Sequence, residues 1–165
     1  IDDATSFVGR ALFVKSETTF DYMEITKSFI KEYGRPLAFY SDKHSVFKVN
    51  REKSLSGANM TQYGRALQEL DIKLICAYSP QAKGRVERVN RTLQDRLKKE
   101  LRLQKISTME EANSFLPLFL KDFNKKFAKV AINSNNAHRI LPQEMNLENI
   151  FNIKNKRILS KNLTF

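Results

Sequence analysis

Residues Ser79 to Leu103 read SPQAKGRVERVNRTLQDRLKKELRL. Ser79-Pro80 ends whatever precedes it, and from about Arg85 apolar residues return at helical intervals. At roughly 100° per residue, Asn90, Arg91, Gln94 and Lys98 fall within ~60° of Glu87, while Val86, Val89, Leu93 and Leu97 form a face centred about 110° away. A carboxylate in the first turn therefore shares its stripe with cations and amides, a surface suited to a sugar-phosphate backbone. The plainer reading of the same stripe is a solvated face with a Glu87–Arg91 ion pair at i,i+4. Helix geometry alone leaves both open.

Working back from this helix, Ile72–Ala77 (IKLICA) and Leu37–Ser41 (LAFYS) are short continuous apolar runs, the pattern of strands covered on both faces. Thr61–Leu70 between them carries Tyr63, Ala66, Leu67 and Leu70 at helical spacing. Thr18–Tyr33 is a helix stopped by Gly34 and Pro36. Residues 43–60 are polar and irregular and read as a loop. Phe7–Val14 is rich in strand-preferring residues, preceded by the turn formers Asp2, Asp3, Thr5 and Ser6. Alternating strands and helices predict an α/β architecture, in which acids at the carboxyl ends of strands are where chemistry collects.

Downstream, Ser107 and Glu110 match a capping box. The helix it opens carries Phe115, Leu116, Phe119, Leu120, Phe123 and Phe127, and Pro117 is expected to kink or divide it. Lys121, Lys125, Lys126 and Lys129 form a charge run, ordinarily a solvated face. Beyond a polar link, Leu147–Phe151 is a short apolar patch. The last stretch, KNKRILSKNLTF, begins to read as strands.

Composition narrows the partners. The chain has 165 residues, 29 Lys plus Arg against 18 Asp plus Glu, and a net charge of +11. A basic domain of this size points to a polyanion, with nucleic acid foremost. Nine of the cations lie between Lys83 and Lys105, opposed by Glu87, Asp95 and Glu100. The single cysteine, Cys76, excludes an internal disulfide and a cysteine-based zinc cluster. No apolar run approaches the ~20 residues of a membrane span. A cytoplasmic, nucleoid-associated protein without a membrane or small-molecule cofactor is expected.

Two carboxylates stand out. Asp42 directly follows the LAFYS strand, and Glu87 lies at the start of the long helix. A fold that joins these two places would give a hard-oxygen site suited to Mg²⁺ or Mn²⁺. His44, two residues past Asp42, reads as a loop histidine.

The local pattern goes further. Pro80, Gln81, Gly84, Glu87 and Asn90 match P-Q-x-x-G-x-x-E-x-x-N, and the stretch closely resembles the third catalytic motif of the DDE transposase and retroviral-integrase superfamily. The run FYSDKHSVF and the phrase AKGRVERVNRTLQDRLKKELRL are most similar to ISNCY-type insertion-sequence transposases. The resemblance implies an RNase H-like fold with a mixed five-stranded sheet flanked by helices, with part of the catalytic core over residues 1–131 and a linker and the start of a truncated C-terminal DNA-binding segment over 132–165. It implies metal-dependent cleavage at transposon ends and attack of the freed 3′-hydroxyl on target DNA, by a homo-multimer. Asp42 would be the second catalytic acid and Glu87 the third, together holding Mg²⁺ or Mn²⁺ in a two-metal site. Lys83, Arg85, Asn90, Arg91, Gln94 and Lys98 would contact DNA, Arg91 standing where lysine is common.

The first acid of the family lies on a strand before the I-D-D-A-T-S element, so it is expected upstream of Ile1, with Asp2 or Asp3 as the alternative. On that reading these residues alone are expected to be marginally stable and to lack strand transfer. A remnant that only binds DNA, and a related nuclease that cuts without joining, are the competing readings.

Overall fold

Thr18 closes a capping box with Asp21 and opens the first helix, α1 (Thr19–Tyr33). The helix ends at Gly34, whose φ of +83° and ψ of −177° suit a residue without a side chain. The computed structural model of the chain describes residues 1–41, 46, 60–76, 84–133 and 135–155, Arg85 by its backbone only. In order, α1 is followed by β1 (Ala38–Ser41), α2 (Gln62–Glu69, capped by Thr61), β2 (Lys73–Cys76), α3 (Gly84–Leu103), α4 (Met109–Phe127) and α5 (Leu147–Ile150). The class is mixed α/β, as expected. Among the described residues the sheet holds two strands, β1 and β2, parallel and in the register Ala38↔Lys73 to Ser41↔Cys76.

The strands differ from the expectation in one respect. Phe39 and its register partner Leu74 pack against the interior, but Tyr40 is 66% exposed, so β1 is covered on one face rather than two. The helices packed against the sheet lie on the Phe39 side, where Phe29 of α1 meets the Phe39 ring at 6.2 Å.

Two apolar cores result. The first gathers Met23 and Ile30 of α1, Tyr63, Ala66 and Leu67 of α2, then Leu70, Ile72, Leu147, Ile150 and Phe151. Within it Thr26 and Tyr63 share a buried hydroxyl hydrogen bond of 2.8 Å. Burial pushes the Tyr63 phenol up to about 12. Arg35 is also buried, donating to the carbonyls of Leu70 (2.9 Å) and Ile140 (3.3 Å). Residues 139–154 wrap this core. Arg139 bridges Arg35 backbone to backbone, Arg65 donates to the Ile150 and Asn152 carbonyls, and Lys154 pairs with Glu69.

The second core is made by α3, α4 and the N-terminal segment: Val8, Leu97, Leu116, Phe119, Leu120 and Phe123 are buried together. Phe115, Phe119, Phe123 and Phe127 follow one another at four-residue spacing, with ring centroids 4.8–6.1 Å apart. One detail departs from the sequence reading, and one of its two alternatives for Pro117 drops out. The capping box is Thr108 with Glu111, one residue later than expected, because Thr108 is the residue that is extended (φ −103°, ψ 156°) and accepts from the Glu111 amide. And α4 runs undivided through Pro117, whose ring lies on the exposed face while Leu116, Phe119 and Leu120 hold the turns around it in the core.

Residues 7–14 join the two cores, and they are not the strand their composition predicts. They run extended without a strand partner among the described residues. Their backbone is satisfied by side chains of α4. The Asn124 amide both accepts from Val8 N–H (2.8 Å) and donates to Val8 C=O (3.0 Å), and Asn113 does the same for Phe13 (2.8 and 2.9 Å). The spacings agree: five extended residues at ~3.3 Å and eleven helical residues at ~1.5 Å both span about 16.5 Å. The other side of the segment meets α1. A Cβ at Gly9 would stand 2.5 Å from the Phe29 ring, Phe7 meets Tyr33 edge-on at 5.7 Å, and Arg10 pairs with Glu32.

Candidate nucleic-acid interface

The α3 helix has 20 residues, about 30 Å at ~1.5 Å each. It carries seven Lys or Arg against three acids. Its apolar face is seated: Leu97 is buried, and Val89, Leu93 and Leu101 pack against the second core. That contact fixes the rotation of the helix and leaves the Glu87 stripe, about 110° around the axis, facing outward. Glu87, Asn90, Arg91, Gln94 and Lys98 are all exposed there. Val86, read as part of the apolar face, is 36% exposed in the first turn.

The ion pair that would make this stripe ordinary does not form. Among the described residues neither Glu87 nor Arg91 has an ion-pair partner, whereas Asp95 on the same helix holds Lys99 at 2.8 Å and Arg96 at 3.8 Å. The Lys99 hydrogen bond keeps the Asp95 carboxyl below its ordinary range. Glu87 thus sits beside two amides and two cations with its oxygens uncommitted.

Asp42, His44 and Lys83 lie outside the described residues, and so does the Arg85 side chain, although its backbone is in the first turn of α3. What is described is the frame around them. β1 ends at Ser41 and β2 at Cys76, register partners, so both strands finish at one rim of the sheet. Asp42 is bonded to Ser41. The Ser41 hydroxyl and the half-buried Cys76 thiol lie 4.0 Å apart at this rim. Among the described residues no group of three or more His, Cys, Asp or Glu side chains gathers as metal ligands would. Nor, among the described residues, is any helix long and apolar enough to cross a membrane.

Beside the stripe, a cavity of about 450 Å³ opens where the N-terminal turn, α3 and the end of α4 meet. Arg88 and Thr92 line it from α3, Phe127 and Lys129 from the end of α4, and Asp3 and Ser6 from the turn. The sequence reading passed over it. Arg88 and Thr92 at i,i+4 are visible as neighbours on a helix, but Lys129 is brought in by tertiary structure, through its backbone N–H to Thr5 C=O at 2.7 Å.

Comparison with known proteins supplies what the geometry leaves open. Over its whole length the chain is 48% identical to a protein of Sinorhizobium fredii named as a transposase, y4bF, covering 36% of that protein. It is 42% identical over 129 residues, 77% of the chain and 28% of the relative, to the transposase for insertion sequence IS1202 of Streptococcus pneumoniae. A Gag-Pol polyprotein of koala retrovirus is 34% identical over 100 residues, 60% of the chain and 5% of the polyprotein. No family model and no solved structure matches the chain. These similarities place it in the superfamily of DDE transposases and retroviral integrases. The chain spans about a third of the length of the transposases it matches.

Proposed function

We propose that this chain is part of a transposase that cuts DNA and joins it by metal-dependent phosphoryl transfer, on an RNase H-like fold. The observation that carries the proposal is the outward stripe of α3, where Glu87 shares one exposed face with Asn90, Arg91, Gln94 and Lys98. Arg91 and Lys98 neutralise phosphates, and Asn90 and Gln94 offer amide donors that fix the register of the backbone. Lys83 and Arg85, just before this stripe in the sequence, add two cations that would contact the same DNA.

Asp42 and Glu87 are the residues that would hold Mg²⁺ or Mn²⁺. Their hard carboxylate oxygens suit these ions, and Glu87 is uncommitted to any described cation. The chemistry supplied there by such ions would be activation of the attacking oxygen and stabilisation of the leaving one. The active form is a homo-multimer, acting on transposon ends and target DNA.

The test is binding of a short DNA duplex at several salt concentrations, beside titration with Mn²⁺ followed by its paramagnetic signal. Arg91→Gln and Lys98→Gln should each lower the slope of log affinity against log salt by about 0.9. Asp42→Asn and Glu87→Gln should each abolish Mn²⁺ binding. DNA binding without Mn²⁺ binding would leave a chain that only holds DNA. Slopes unchanged by both cation variants would remove α3 from the interface.

A further inference from the structure

We infer that the cavity between the N-terminal turn, α3 and the end of α4 receives one unpaired nucleotide of a DNA strand lying along α3. The inference rests on the DNA-binding reading of the α3 stripe. At about 450 Å³ the cavity falls within the size range of small-ligand sites, roughly 300–1,000 Å³, and it combines two features that a nucleotide needs.

The first is charge. Arg88 lines the cavity from α3 and Lys129 from the residues just past α4, and among the described residues neither forms an ion pair. The Arg88 Nε donates to the Gly84 carbonyl at 3.2 Å, which leaves the two terminal nitrogens of its guanidinium for phosphate oxygens. The Lys129 backbone is anchored to Thr5, so its ammonium starts from a fixed wall.

The second is a ring. Phe127, 37% exposed, lines the cavity together with the buried Phe123, 4.8 Å away between centroids. A partly exposed aromatic ring held in place by a packed neighbour is a stacking platform for a base, tolerant of base identity because every base has a π-face. Ser6 and Thr92 add hydroxyls and Asp3 a carboxylate to the polar walls. The left-handed backbone of Ser6 (φ 61°) is held by its N–H to Asp2 C=O and by Asp2 N–H to Phe7 C=O, which sets the turn as one wall.

Position selects a nucleotide within a strand over a free one. Around α3, Arg88 lies between the stripe that carries Glu87 and Arg91 and the buried side that carries Val89. A backbone tracked by Arg91 passes Arg88 before the cavity, so a base leaving the duplex beside Glu87 reaches Phe127 without its phosphate leaving the cations.

The test compares a blunt duplex with the same duplex carrying a single-nucleotide 2-aminopurine overhang. The overhang should bind about ten-fold tighter, with its fluorescence quenched by stacking. Phe127→Ala should erase both the preference and the quenching while blunt-duplex affinity stays as it was, and Phe127→Tyr should restore them. Arg88→Gln and Lys129→Gln should weaken the preference. Equal binding of the two duplexes overturns the inference and leaves the α3 reading standing. So does a preference that survives Phe127→Ala, or displacement of the overhang by free dAMP at matching concentration. Failure of both duplexes to bind removes the α3 reading itself.

Discussion

The two cores satisfy their backbones by different means. Around Met23, Ile30 and Leu67 the main chain closes within helices and along a parallel strand pair, and the wrapping segment 139–154 is fastened by cations: Arg65 and Arg35 to carbonyls, Lys154 to Glu69, Lys27 to Glu148. Around Leu116, Phe119 and Phe123 an extended segment lies against a helix, and two asparagine amides do what a neighbouring strand would otherwise do. An extended stretch thus needs paired donors and acceptors at the right interval, and a helix can present them.

The largest effects should come from hollowing either core. Phe119→Ala should cost about 3–5 kcal/mol and Leu67→Ala about 2–5 kcal/mol. Urea unfolding followed by far-UV circular dichroism and by tyrosine emission checks both, and it also tests the division itself. Tyr22 and Tyr63 belong to the first core, whereas the second is built on phenylalanines. Because residues 7–14 touch α1 and α4 alike, the two probes should report one shared transition; separate midpoints would make the cores independent.

Next in size, Asn124→Ala leaves the Val8 N–H and C=O without partners and should cost about 1–3 kcal/mol. Asn124→Asp keeps the acceptor and loses the donor, so it should fall between. Hydrogen exchange at the Val8 amide reads the local opening directly. If exchange there is unchanged by Asn124→Ala, the amide does not hold the segment.

The smallest effect is at the start of α4. Thr108→Ala should cost about 1 kcal/mol. Amide donors at Thr108 and Ser107 hold the Glu111 carboxyl below its ordinary range. A depressed carboxylate contributes stability that is present above its unfolded pKa and is lost as pH falls through the folded one. A wild-type advantage over Glu111→Gln near neutral pH should therefore vanish in acid.

Much of this was legible in the residues. Helical spacing located α1, α2 and α3, and the offset between Val89, Leu93 and Leu97 and the Glu87 stripe correctly turned Arg91 and Lys98 outward. Residues 7–14 were misleading because strand propensity reports fit to a pleated surface, not the presence of a ladder. Asn113 and Asn124 look like ordinary polar helix residues until their interval is set against that of Val8 and Phe13. The apolar patch at Leu147–Phe151 was visible, but not the core it covers, since that contact joins residues far apart in the chain. The cavity beside α3 escaped for the same reason: Ser6, Arg88 and Lys129 are neighbours only after folding.

The amide pair on α4 also acts as a two-point gauge. One residue inserted between Asn113 and Asn124 would swing one amide around the axis by roughly 100° and carry it off Val8 or Phe13. One residue deleted between Val8 and Phe13 would shorten that interval by about 3.3 Å and draw one of the two off its amide. Single-residue insertions and deletions should therefore be excluded from both intervals together, so that as the protein diverges two stretches far apart in the chain keep their lengths in step.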